Sequence, residues 1–273
     1  MSRARTFACG TAVLLLGSSV WAYGLSGAAT PLDLERQLDL SVVAIDARIG
    51  SDPVRSSGVV TDADRGLVLT SARAVWGATS LRVGTALGLL HGRVVARAPC
   101  DDLALVQIQP LVPGLVTLPR SDDPPSAGDL LTSIGRRAAD PDHATHNLLT
   151  IPTLVRPAPW LTRIVLDAPV LPEAAGGPVV DQQGRMVGIT QSAGAPEPGP
   201  GAALAWAAID RRLRMLRPGP RQVYVGWRTQ YRCAAELHRA TKTAHPAFRG
   251  RDARLNAPVA PTRLPGTEEL DSG

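Results

Sequence analysis

The sequence predicts an all-β protein of about twelve short strands in two halves of six, followed by a short helical extension. Short apolar or alternating runs recur between residues 40 and 210, and each is bounded by Gly, Pro, Asp or Ser. No long run in this stretch has helical periodicity, and regularly spaced short strands are typical of β-sandwiches and β-barrels. A proline-rich stretch at residues 121–128 suits a crossing between the two halves.

Each half contains six predicted strands. Those of the first half lie at residues 41–45, 58–61, 67–70, 81–83, 93–96 and 103–108. Those of the second half lie at residues 130–134, 148–155, 163–166, 178–180, 186–190 and 203–207. Asp181-Gln182-Gln183-Gly184 has the composition of a tight turn, which predicts a hairpin between the strands on either side of it.

Beyond residue 208 the periodicity becomes helical. Residues 209–216 have apolar side chains at helical spacing, and residues 231–243 form a second predicted helix. The apolar face of this second helix consists of Ala234, Leu237 and Ala240. Residues 256–273 hold three prolines and two glycines without a sustained period, which predicts a loosely ordered tail.

The N-terminus has the order of a secretory signal. Arg3 and Arg5 precede an uncharged, largely apolar run at residues 6–30, with an A-x-A-like cleavage site at Ser26-Gly27-Ala28. The apolar run is also nearly long enough to be an uncleaved membrane anchor. Because the two arginines stay cytoplasmic in both cases, the rest of the chain is predicted to be extracellular or attached to the outer face of the cytoplasmic membrane.

Composition and charge exclude several classes of protein. The 273 residues include 26 Gly and 24 Pro, too few for collagen or for a disordered chain. The net charge of +5 is uneven, because residues 32–210 carry 14 Arg and 19 acidic residues. Residues 211–255, here called the basic segment, carry 11 Arg and Lys242 against two acidic residues, which suits an anionic surface. Predicted export argues against nucleic acid as the partner.

Two cysteines lie beyond the predicted export segment, which itself contains Cys9. In an oxidising compartment Cys100 and Cys233 can pair, which would tie the domain to its C-terminal extension. The alternative is two separately buried thiols.

Three motifs occur in a meaningful order. They are LTSARAVWGA at residues 69–78, DDLALV at residues 101–106 and DAPVLPEAAGGPVV at residues 167–180. Together they resemble the trypsin-like serine proteases, most of all the bacterial high-temperature-requirement branch, whose motifs are L-T-x-x-H-V-V-x-G-A, D-L-A-L and D-A-x-x-x-P-G-N-S-G-G-P-L-V. The resemblance covers roughly residues 40–215 and implies two six-stranded β-barrels with a catalytic cleft between them.

The departures from the family motifs fall on its catalytic residues. Arg73 stands where the resemblance places the general base, a histidine, and Ala175 stands where it places the nucleophilic serine. Asp102 matches the orienting acid and is the one retained member of the triad. Alanine has no nucleophilic atom, and an arginine that stays protonated cannot accept a proton.

A third departure affects the oxyanion hole. Glu173 replaces the glycine that supplies an oxyanion-hole amide in the family. Residues other than glycine reach a positive φ only at a cost, and a nearby carboxylate repels a developing oxyanion. The resemblance therefore implies a protease scaffold without its chemistry, with a domain at residues 31–216 between an export segment at 1–30 and an extension at 217–273.

No other group in the sequence replaces the lost chemistry. The remaining hydroxyls near the motifs are Thr70, Ser71 and Ser133. None of them lies in the turn around residue 175 that carries the nucleophile in the family, here called the nucleophile turn. His143 and His146 lie in an Asp- and His-rich loop that is better interpreted as solvated than as a metal site, so no metal or cofactor is predicted. Arg73 and Asp102 are expected to face each other, as a structural ion pair or with Arg73 extended into solvent.

Three functions remain open on this sequence. The first is an exported, non-catalytic domain that binds a peptide or protein in the cleft between the barrels. The second is an active serine endopeptidase with an unrecognised catalytic arrangement. The third is a surface protein whose basic segment, with Tyr224, Trp227 and Tyr231, binds anionic lipid or cell-wall polymer.

Overall fold

The computed structural model of the chain describes residues 31–137, 148–158, 162–191, 200–215, 227–245 and 247. Its twelve described strands form two closed six-stranded antiparallel barrels, which confirms the predicted fold class. The predicted export segment, the loop with His143 and His146, and the tail from residue 248 lie outside the described residues. None of the described helices is long and apolar enough to span a membrane.

The first barrel contains six strands in the order β1-β2-β3-β6-β5-β4. These strands are β1 (Val42–Ile49), β2 (Asp52–Asp62), β3 (Leu67–Ser71), β4 (Ser80–Thr85), β5 (Gly88–Ala98) and β6 (Leu103–Gln109). Every predicted strand of the first half overlaps one of them. The observed strands are longer, because β2 and β5 extend into polar, exposed positions where the alternation of apolar residues stops.

The second barrel closes in the order β10-β11-β12-β9-β8-β7. Its strands are β7 (Leu130–Arg136), β8 (Leu148–Arg156), β9 (Arg163–Leu166), β10 (Pro178–Val180), β11 (Met186–Gln191) and β12 (Gly201–Ala205). The predicted hairpin turn joins β10 to β11. In this turn the N–H of Asp181 donates to the carbonyl of Arg185 at 2.9 Å, and Gly184 has a φ of +75°.

Alternating burial separates the core into three clusters. One cluster fills the first barrel. A second cluster fills the second barrel and contains side chains from all six of its strands. The third joins the barrels, since it combines first-barrel residues such as Leu69 and Leu105 with second-barrel residues such as Ile134 and Ile189. The cleft between the barrels is therefore supported by a continuous apolar interface.

Four described helices accompany the barrels. They are α1 (Pro31–Ser41), α2 (Ala72–Val75), α3 (Trp206–Met215) and α4 (Trp227–Ala244). The last two correspond to the helices predicted at residues 209–216 and 231–243. Helix α1 was not predicted, and it places Leu34 and Leu38 against the inter-barrel cluster.

Helix α4 is attached to the first barrel from Cys233 onward. Cys233 forms a disulfide with Cys100, so the pairing alternative is the one observed. Ala234 and Leu237 are buried in the first-barrel cluster, whereas Ala240, predicted on the same face, is exposed. After the helix ends, His245 Nδ1 lies 2.9 Å from Asp52 Oδ2.

A buried arginine joins α1 and the first barrel to the second barrel. The guanidinium of Arg136, at the end of β7, donates to the carbonyl of Val42 at 2.7 Å and to the carbonyl and a carboxylate oxygen of Asp39 at 2.5 Å each. The N–H of Arg136 donates to Ser57 Oγ of the first barrel at 2.8 Å.

Candidate functional site

Arg73 lies at the mouth of the cleft between the barrels. Strand β3 ends at Ser71, and the single turn of α2 follows, with Ala72, Ala74 and Val75 buried. The side chain of Arg73 points away from them and is 47% exposed. The sequence therefore places a fixed cation at the position where the resemblance expects an imidazole.

Asp102 is held in a left-handed conformation behind Arg73. Its φ is +52°, and it is the one residue other than glycine with a positive φ in the part of the chain that the structure describes. One carboxylate oxygen accepts the N–H of Arg73 at 2.9 Å, and the other accepts the hydroxyl of Ser71 at 2.9 Å. Burial raises the pKa of Asp102, and these hydrogen bonds and the charge of Arg73 oppose that rise.

The expected pairing of Arg73 with Asp102 is present in a loose form. Nε of Arg73 lies 3.7 Å from Oδ2 of Asp102, beyond hydrogen-bond distance, so the pair is not a bidentate one. The backbone amide of Arg73, rather than its side chain, makes the close contact with the carboxylate. Arg73 is thus at once paired with Asp102 and half-exposed to solvent.

The nucleophile turn contains a 3-10 turn at Pro172–Ala174, and its backbone amides donate hydrogen bonds to carbonyls within the same turn. The N–H of Ala174 donates to the carbonyl of Leu171 at 2.9 Å, and the N–H of Ala175 donates to the carbonyl of Pro172 at 3.2 Å. In a Ser-His-Asp protease the amide of the nucleophile residue is one of the two oxyanion donors. Here that amide is directed into the turn.

Glu173 contributes no oxyanion donor of the usual geometry either. Its φ is not positive, and its carboxylate is 39% exposed at 3.6 Å from Nε of Arg137. The replacement of glycine at this position thus coincides with a closed turn and a carboxylate beside it. Both features oppose the stabilisation of an oxyanion.

Ser57 holds the turn against the first barrel, a role the sequence analysis missed. Its hydroxyl donates to the carbonyl of Glu173 at 2.6 Å, and its N–H donates to the carbonyl of Ala175 at 2.9 Å. Gly176 follows with a φ of +83°, and a Cβ there would lie 2.5 Å from the carbonyl oxygen of Ser57. The small pair Ser57-Gly58 in the middle of a strand was the available signal.

The hydroxyls considered as alternative nucleophiles are buried. Thr70 Oγ1 donates to the carbonyl of Ser57 at 2.6 Å, and the Ser71 hydroxyl donates to Asp102. Ser133 is 3% exposed. No cluster of three His, Cys, Asp or Glu side chains suited to a metal ion occurs among the described residues.

A cavity of about 210 Å³ opens beside Arg73 and Ala175. One wall comes from the barrels, through β2, α2 and the nucleophile turn. The opposite wall comes from the second half of α4, which the sequence analysis predicted as a helix without a location. The residues that line the cavity on this side are Leu237, Ala240, Thr241 and Ala244 of α4 and His245 after the helix.

Two carboxyl groups in the motif segments are expected to respond to pH in opposite directions. Burial raises the pKa of Asp102, so its protonation favours the fold, and stability falls as pH rises from 3.8 through the raised folded value. The hydroxyl of Thr153 and the N–H of Leu154, both at 2.7 Å, lower the pKa of Asp167. Its contribution is present above 3.8 and is lost as pH falls through the lowered folded value.

Chemical denaturation of Asp102→Asn and Asp167→Asn between pH 7 and 3 measures this difference. Relative to Asp102→Asn, the wild type is expected to gain stability as the pH is lowered. Relative to Asp167→Asn, it is expected to lose stability below about pH 4. Parallel profiles for the wild type and Asp102→Asn would show that burial does not disfavour the Asp102 carboxylate.

Comparison with known proteins agrees with the double-barrel fold. Residues 56–189 match the family model described as "Trypsin-like peptidase domain". The active form of the protease Rv3671c from M. tuberculosis aligns with a TM-score of 0.58 and 20% identity over 68% of this chain and 85% of that one. A serine endoprotease from Yersinia pestis aligns with a TM-score of 0.57 and 21% identity over 68% of this chain and 66% of that one. No curated protein matches the chain in sequence. Residues 56–189 therefore belong to the trypsin-like serine protease family, and the chain has the double-barrel fold of that family.

Proposed function

We propose that the chain is an exported pseudoprotease, a trypsin-like domain without peptidase activity that acts by binding a peptide or protein in the cleft between its barrels. The observation that carries this proposal is the replacement of the base and the nucleophile by Arg73 and Ala175 on an otherwise intact scaffold. Hydrolysis by this fold needs a hydroxyl to attack the carbonyl and a base to take its proton. Neither atom is present at these positions.

The closed turn supports the same conclusion independently. The amides of Ala174 and Ala175 donate within the turn, and Glu173 adds a carboxylate beside it. Restoring the serine alone would therefore still lack a base and an oxyanion hole. The buried hydroxyls of Thr70, Ser71 and Ser133 argue against the alternative of a rebuilt nucleophile.

Binding of anionic lipid or cell-wall polymer by the basic segment remains a second prediction. Among the α4 side chains that the structure describes, the exposed cations are Arg232, Arg239 and Lys242. Tyr224 lies outside the described residues, and the side chains of Trp227 and Tyr231 are not described. The proposal of peptide binding in the cleft is preferred because the replacements at Arg73, Glu173 and Ala175 all lie in one site and support it.

Fluorophosphonate labelling and casein cleavage test the proposal. The wild type and Ala175→Ser are both expected to remain unlabelled, with activity about 10⁶-fold below that of an intact triad. A triple variant, Arg73→His with Glu173→Gly and Ala175→Ser, is the matched control that restores all three groups and is expected to be labelled at residue 175. Circular dichroism must show a β-rich fold in each variant. Labelling of the wild type at a defined serine would overturn the proposal.

A further inference from the structure

The cavity beside Arg73 is closed on one side by a fixed wall. Helix α4 forms this wall, and the disulfide at Cys233, the buried Leu237 and the contact between His245 and Asp52 hold it in place. A peptide that enters from the open side of the cleft meets α4 directly beyond Arg73. Helix α4 therefore bounds the cavity on the side next to Arg73.

The cavity is small, and α4 limits how far an extended chain can continue past Arg73. Its volume is about 210 Å³. Pockets for drug-sized ligands begin at about 300 Å³. An extended chain advances about 3.3 Å per residue, so a strand that ran through would need an exit that α4 occupies.

The charges that line the cavity are positive. Arg55 and Arg73 are its arginines, and His245 is its histidine, whereas no acidic side chain lines it among the described residues. Arg55 Nε lies 3.8 Å from Asp46, and His245 Nδ1 lies 2.9 Å from Asp52, so both side chains have acidic neighbours. The guanidinium of Arg73 has a looser neighbour in Asp102 at 3.7 Å.

Arg73 retains its hydrogen-bonding capacity for a ligand. The two carboxylate oxygens of Asp102 accept hydrogen bonds from the Ser71 hydroxyl and the Arg73 amide, not from the guanidinium. Within the described part of the chain the guanidinium makes no hydrogen bond, and nearly half of the side chain is exposed. A planar guanidinium with free donors binds a carboxylate through two parallel hydrogen bonds.

We propose that this cavity binds the C-terminal carboxylate of a peptide, with Arg73 as the residue that receives it. Val54, Ala74 and Leu237 in the cavity wall would contact an aliphatic last side chain. The inference rests on the proposed function, because an active protease would cleave a peptide here rather than hold its end. Capture of a chain terminus also specifies orientation, since one end of the peptide alone carries the carboxylate.

Matched tetrapeptides test this inference. The probe is acetyl-Ala-Ala-Ala-Leu, prepared with a free C-terminal acid and with a C-terminal amide, and titrated against the purified protein by NMR at fixed ionic strength. The acid is expected to bind about tenfold more tightly than the amide. Arg73→Gln is expected to remove this difference, and Arg73→Lys to retain part of it, because the charge remains without the planar fork.

Arg82→Gln is the control, since Arg82 is exposed and does not line the cavity. Its preference for the acid should equal that of the wild type. Equal binding of acid and amide would overturn the carboxylate site and leave peptide binding standing. Absence of binding by both peptides would overturn the carboxylate site and count against peptide binding as the function.

Discussion

Replacing Cys100 and Cys233 with serine is expected to lower the free energy of unfolding by about 2–5 kcal/mol. The disulfide spans 133 residues, so it restricts a long segment of the unfolded chain. Longer closed loops lose more conformational entropy, and a loop of about 100 residues is worth about 4.7 kcal/mol in this account. The effect therefore ranks among the largest expected for this protein.

Guanidinium denaturation of the oxidised wild type, the reduced wild type and the double serine variant measures this effect. The reduced wild type and the variant are expected to unfold at the same, lower midpoint. Cys100→Ser alone is a useful comparison, because it breaks the bond and leaves Cys233 free for alkylation. An unchanged midpoint, with the bond shown by mass spectrometry in the oxidised wild type, would contradict the prediction.

Arg136→Ala is expected to destabilise the fold by about 3–5 kcal/mol, the range for breaking one partner of a buried ion pair. The variant removes the guanidinium from Asp39 and from the carbonyl of Val42, which lie on the far side of the barrel interface. Both side chains of the pair are largely buried, so water does not replace the lost donors.

The neighbouring Arg137 provides a matched control for the same measurement. Arg137 is 62% exposed and lies 3.6 Å from Glu173, so Arg137→Ala is expected to cost less than about 1 kcal/mol. Replacing Arg136 with Met and Asp39 with Leu together is expected to recover much of the loss. Equal effects of Arg136→Ala and Arg137→Ala would show that the buried network does not join the barrels energetically.

The strands could be predicted because the apolar or alternating run that marks each strand, and the turn residues that bound it, lie within a few consecutive residues. Strand β10 has the predicted bounds, Pro178–Val180, because Gly176-Gly177 and Asp181 mark both ends. Helix α1 was missed because its inward contacts come from few apolar side chains, chiefly Leu34 and Leu38. Its first residue, Pro31, is a favourable helix start that the interpretation of the preceding export segment concealed.

The motifs identified which positions match the catalytic residues of the family, but they did not reveal the hydrogen bonding around those positions. The motifs predicted from their spacing that Arg73, Asp102 and Ala175 lie near one another. In the structure Arg73 lies 3.7 Å from Asp102 and lines one cavity with Ala175. The backbone hydrogen bonds that close the turn at Pro172–Ala174 depend on atoms that every residue carries, so side-chain identity does not reveal them. The location of α4 depends on a contact across 133 residues, which the two cysteines suggested as one of two alternatives and which no local pattern could decide.

The disulfide also determines how the chain would transmit mechanical load. A force applied between residue 31 and residue 245 would pass through the first barrel to Cys100, across the sulfur bridge to Cys233 and along α4. All six strands of the second barrel lie between the two cysteines in sequence, so tension along this covalent path bypasses them. The second barrel can therefore stay folded under traction that extends the first.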